Sequence, residues 1–146
     1  MATEFKRVLV GVDDSADALL AFKYALHQVK RDDTELYIVS ILENQAINVY
    51  EALTKDFIHG EREALEKHIQ AYRRQAVDAG IAPAKVHTLI AEGDEPGETI
   101  IEDVIPRVHP DLLLIGSEAK KGVRRHFGSQ AAYMAKYAPI SVLVIR

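Results

Sequence analysis

The sequence predicts an α/β fold, an open, doubly wound parallel sheet of five strands with helices on both faces. Two observations predict it. Five short apolar runs recur along the chain, and four stretches with helical spacing separate them. Runs apolar on both sides suit strands buried between two layers, and strict strand–helix alternation is the mark of a parallel sheet. A length of 146 residues, with 48% apolar and 27% charged residues, suits one globular domain over residues 1–146.

Val8 to Val12 is the first strand, ending at Asp13-Asp14-Ser15. Leu19, Phe22, Leu26 and Val29 then recur at spacings of three and four, as on an amphipathic helix, with Ser15 or Asp14 as its N-cap. Leu36 to Leu42 is the second strand. Glu43 to Thr54 has weak periodicity and is expected to be partly mobile. Leu65, Ile69, Tyr72 and Ala76 mark one face of a long charged helix closed by Gly80, and its charges from Arg62 to Arg74 read as a solvated outer face. Lys85 to Ala91 is the third strand. Ile101, Val104, Ile105 and Val108 form the apolar face of the next helix, which Pro106 should end or kink. Leu112 to Ile115 and Ile140 to Ile145 are the last two strands, with a short helix from Ser129 to Lys136 between them.

Composition excludes several classes of function. There is no cysteine, so disulfides, thiolate zinc sites and thiol catalysis are absent. No apolar run approaches the ~20 residues of a membrane span, and Met1 to Arg7 has no apolar signal core, so the expectation is a cytoplasmic protein with no membrane partner. A net charge of −4 argues against nucleic acid as a partner. The histidines show no metal-binding spacing, and no metal ligand is assigned.

One stretch stands out chemically. After the fourth strand, Gly116-Ser117-Glu118-Ala119-Lys120-Lys121-Gly122-Val123-Arg124-Arg125-His126-Phe127-Gly128-Ser129 is glycine-punctuated and basic, and it leads into a helix opened by Ser129. Exposed backbone N–H groups and a helix N-terminus favour an anion such as a phosphate. Ligands on open parallel sheets sit beyond the carboxyl ends of the strands, where neighbouring connections leave to opposite faces. If strands one and four are neighbours, Asp13 and Gly116 meet at that point.

The chain resembles the universal stress proteins of the UspA type over essentially its full length. The resemblance is carried by Val8 to Ser15, Glu92-Gly93-Asp94, Asp111 to Ser117, Gly128-Ser129 and Ala138 to Arg146. It implies the strand order 3-2-1-4-5 and a homodimer paired through Ile140 to Ile145, an apolar edge that would otherwise invite aggregation. It also implies binding of ATP with Mg2+, or of AMP, through a loop of pattern Gly-x2-Gly-x9-Gly-Ser/Thr. Gly116 and Gly128-Ser129 match its ends. Ala119 stands where the second glycine belongs, and eight residues rather than nine separate it from Gly128. Gly122 is where the missing residue is absorbed.

By this resemblance Asp13 meets the adenosine and Ile41 offers backbone groups to the adenine. Gly116, Gly128 and Ser129 contact phosphate, and Arg124 neutralises it. Each has a plainer reading: Asp13 as a strand-end residue bonding loop N–H groups, Ile41 as core, Ser129 as an N-cap. No catalytic residue is assigned. The phosphate loop of the P-loop enzymes and the Gly-x-Ser-x-Gly elbow are both missing, and slow ATP hydrolysis would lack a visible base. A phosphoacceptor domain would need an Asp after the third strand and a Lys after the fifth, where the chain has Ala91-Glu92 and Arg146. The remaining alternative is a nucleotide-free relative that acts through its dimer and other protein contacts.

Overall fold

A computed structural model describes residues 5–13, 15–32, 34–43, 55–117 and 124–146. Within them the strands are β1 (Arg7–Gly11), β2 (Glu35–Glu43), β3 (Val86–Gly93), β4 (Leu112–Gly116) and β5 (Ser141–Ile145). All pair in parallel, in the order β3-β2-β1-β4-β5. The four intervening helices are α1 (Ala16–Asp32), α2 (Lys55–Asp78), α3 and α4 (Arg124–Tyr137). Helix α3 is built of three consecutive pieces, Pro96–Thr99, a π-turn Ile100–Val104 and Ile105–Val108.

The alternation of side chains along each strand divides the core in two. Val8, Val10, Ile38 and Leu114 face α1 and α2, where Phe22, Ile69 and Tyr72 cover them. Leu9, Val39, Leu113 and Ile115 face α3 and α4, where Ile100, Val104, Ala131 and Met134 cover them. This is why the central runs are apolar throughout: β1 and β4 have a helix layer on each side. The edge strand β5 is only partly covered.

Local chemistry sets the element ends. Ser15 caps α1, its Oγ accepting the Ala18 N–H at 3.1 Å. Helix α2 stops in a Schellman turn: the Ile81 N–H donates to the Ala76 carbonyl and the Gly80 N–H to that of Val77. Gly80 supplies the required positive φ of 106°. Pro106 neither ends α3 nor leaves it regular. The Ile105 N–H reaches back five residues to the Ile100 carbonyl, so a π-turn takes up the strain just before the proline. The helix continues to His109, which closes it in the left-handed region at φ 55°.

One predicted boundary is wrong. Helix α4 begins at Arg124, so Gly128 and Ser129 lie in its second turn and Ser129 does not open it. A Gly-Ser pair looks like a helix start, but a glycine inside a helix costs only about 1 kcal/mol. Burial of Gln130, Ala131 and Met134 further along holds the helix in place. The stretch between β2 and α2, residues 44–54, lies outside the described residues.

Candidate functional site

Strands β1 and β4 are hydrogen-bonded neighbours, with Val8 opposite Leu112 and Val10 opposite Leu114. From their carboxyl ends α1 leaves to one face and α4 to the other. Asp13 and Gly116 therefore both stand at the topological switch point, the place where open sheets bind ligands. Side-chain and backbone bonds stitch this end of the sheet together. Ser40 Oγ donates to the Val12 carbonyl at 2.9 Å, and the Ser117 N–H donates to that of Ile145 at 2.8 Å.

Asp13 is half-buried, and its Oδ1 accepts the Ser15 N–H at 2.8 Å. The Tyr72 hydroxyl donates to its backbone carbonyl at 3.0 Å. The carboxylate is thus oriented by the protein itself, as the strand-end reading expects. Ile41 lies in β2 opposite Ala91, partly buried against the α3 side of the core. Gly116 is required by packing. A Cβ there would stand 2.7 Å from the Ala18 nitrogen and the Asp17 carbonyl carbon, because the end of β4 lies directly on the first turn of α1. Ser117 Oγ donates to Asp17 Oδ2 at 3.0 Å across the same contact.

Gly128 faces the end of β4, where a Cβ would meet the Ser117 carbonyl oxygen at 3.8 Å. The two ends of the basic loop, Ser117 and Gly128, are therefore adjacent. Ser129 is exposed on α4. Arg124 is the first residue of that helix. Ala119 and Gly122 lie outside the described residues.

Sequence reasoning missed the groups that hold these residues in place. Asp17 and Ser117 join α1 to the root of the loop. Gln130, only 7% exposed, joins α4 to Glu95 and Gly97 at the start of α3. The available signal was a glutamine next to Ala131 and Met134, a polar residue on an otherwise apolar stripe. Arg62 lies on the solvated face expected of it and pairs there with Glu92 at the end of β3, both side chains exposed.

The universal stress protein family model matches residues 4–146. The chain belongs to the universal stress protein family. A Staphylococcus aureus (strain USA300) protein named as a universal stress protein is 27% identical over 143 residues, covering 97% of this chain and 84% of the relative. Universal stress protein UspA from Lactobacillus plantarum has a similar structure, with a TM-score of 0.83 at 22% identity over 99% of each chain. The universal stress protein from Archaeoglobus fulgidus in complex with dAMP superposes with a TM-score of 0.67 at 16% identity, covering 99% of this chain and 100% of that one.

In this universal stress protein the Asp13 carboxylate, the Ser40 and Ser117 hydroxyls and the Ser15 and Ser117 N–H groups at this end of the sheet are each bonded within the protein. No group of three or more His, Asp or Glu side chains gathers to hold a metal among the described residues. Among the same residues no helix is long and apolar enough to cross a membrane. The first turn of α4 has no acidic residue and begins Arg124-Arg125.

Proposed function

We propose that this universal stress protein binds an adenine nucleotide, ATP with Mg2+ or AMP, in the crevice between the carboxyl ends of β1 and β4. The observation that carries the reading is the meeting of Asp13, Gly116 and Gly128 at the switch point, with the two ends of a basic loop side by side. Asp13 takes the adenosine, Ile41 the adenine through its backbone, and Gly116, Gly128, Ser129 and Arg124 the phosphates, with Ala119 and Gly122 shaping the loop between. The family relative that carries dAMP supports the ligand class. The protein's work is then binding and signalling rather than turnover.

Thermal unfolding with and without ATP and magnesium tests this. Ligand at a hundred times Kd adds about 2.7 kcal/mol of stability. No shift at millimolar ATP, together with no nucleotide in the purified protein, would sink the reading. The nucleotide-free alternative would then stand, and it has its own support: packing against α1 accounts for Gly116 without a ligand.

The proposal includes a homodimer joined through residues 140–145. Its support is the edge position of β5 and the partial exposure of Val142, Leu143, Val144 and Ile145. Sedimentation of Val142→Lys should show a monomer where the unaltered chain sediments as a dimer.

A further inference from the structure

Gln130 follows Ser129 on α4 and is buried. Its Oε1 accepts the Gly97 N–H at 2.7 Å, and its Nε2 donates to Glu95 Oε2. This orientation of the amide serves both partners, since a backbone N–H can only donate and a carboxylate can only accept. Gly97 is in the first turn of α3, whose N–H groups lack intrahelical partners, and Glu95 at the N-cap makes no side-chain cap. Helix α4 therefore caps α3 from outside. The approach is close: a Cβ on Gly97 would stand 2.8 Å from Gln130 Oε1 and 3.2 Å from its backbone carbonyl oxygen.

We propose that Gln130 is a positioning residue: by capping α3 from α4 it fixes how Gly128 and Ser129 face the ligand crevice. The clamp ties α4 to the segment leaving β3, while two residues earlier Gly128 rests against Ser117 at the end of β4. Three points then define the helix: the end of β3, the end of β4 and the core beneath Ala131 and Met134. Rotation of α4 about its axis, which would carry Gly128 away from Ser117, requires breaking the Gln130 bonds. The part that concerns phosphate rests on the nucleotide reading above. The part that concerns the position of the turn does not.

The test uses the full chain and two readouts. Gln130→Met keeps the side-chain length and removes both bonds. It should raise amide hydrogen exchange at Gly97 and at residues 128–131 about tenfold, the value of one or two hydrogen bonds, while residues 134–137 stay as protected as before. In titrations it should weaken ATP about tenfold and leave adenosine unchanged, since the turn it positions faces phosphate. Gln130→Glu places a carboxylate against Glu95 and should do the same. Combining it with Glu95→Gln exchanges donor and acceptor and should restore both readouts. Unchanged exchange in Gln130→Met, equal losses for ATP and adenosine, or a double exchange that restores nothing would each overturn the proposal. Altered exchange in a protein that never binds ATP would remove the nucleotide reading and still support Gln130 as the residue that sets this turn.

Discussion

Gly116 and Gly128 look equivalent in the sequence, as the two glycines bounding one loop, yet alanine should have opposite effects at the two positions. A Cβ on Gly116 would stand 2.7 Å, 2.7 Å and 2.8 Å from three atoms of Asp17 and Ala18, two of them backbone. Carbon contacts settle at about 3.5–4.0 Å, so the first turn of α1 or the end of β4 must move by about 1 Å. That turn is held by the Ser15 cap on the Ala18 N–H and by the Ser117–Asp17 bond. Overpacking of about 1–3 kcal/mol with about 1 kcal/mol of weakened cap gives a loss of about 2–4 kcal/mol for Gly116→Ala. At Gly128 the nearest atom is 3.8 Å away and the backbone is helical. Gly128→Ala should therefore stabilise the ligand-free protein by about 0.5–1 kcal/mol. Urea unfolding followed by far-UV circular dichroism reads both as shifts in midpoint at constant slope. A Gly116→Ala variant within 0.5 kcal/mol of the parent would refute the packing argument, on the scale of an ordinary surface change of about that size. Loss of stability in Gly128→Ala would refute the placement of that residue inside α4.

Three further outcomes are expected. His109→Gly should stabilise by about 0.5–1 kcal/mol, because His109 holds φ at 55° where glycine rests without strain, and a lowered urea midpoint would contradict it. Ala119→Gly should strengthen ATP binding several-fold if Ala119 weakens the loop by the roughly 1 kcal/mol that a left-handed conformation costs, and an unchanged affinity would shift the blame to the missing residue. The Tyr133 phenol is held above the ordinary tyrosine range by desolvation first and then by the carboxylates of Glu98 and Glu102. Its contribution to stability is thus full below the unfolded pKa and is lost as pH rises through the folded one. Ultraviolet titration of Tyr133→Phe should lack one phenolate step lying above the ordinary tyrosine range, and an unaltered curve would rule out that assignment.

Most of the scaffold was legible because its signals are local. The runs Val8 to Val12 and Leu112 to Ile115 could be read as doubly buried strands from apolar character alone, and Phe22, Ile69 and Met134 do fill the layers around them. Strand order came from the family resemblance, since alternation alone says only that the sheet is parallel. The site was legible at its ends and not in its supports. The need for glycine at 116 arises from α1, about a hundred residues earlier in the chain, and no spacing rule reports such a contact. The start of α4 was misplaced because Gly128-Ser129 carries the local signature of a cap, while packing of Gln130 and Met134 decides the helix. Pro106 signalled a break, and the π-turn before it absorbed the strain within one helix. Gln130 itself was passed over because its partners, Glu95 and Gly97, are brought to it only by the fold.

The most direct measurement of the central claim is a titration of the isotope-labelled protein with ATP and magnesium, following backbone amides by NMR. The predicted result is a saturable set of shifts centred on Asp13, Gly116, Ser117, Gly128 and Ser129, with Gly80 and His109 at the opposite end of the sheet unmoved. Absence of shifts at millimolar ATP, or a set centred away from the ends of β1 and β4, would contradict the proposal.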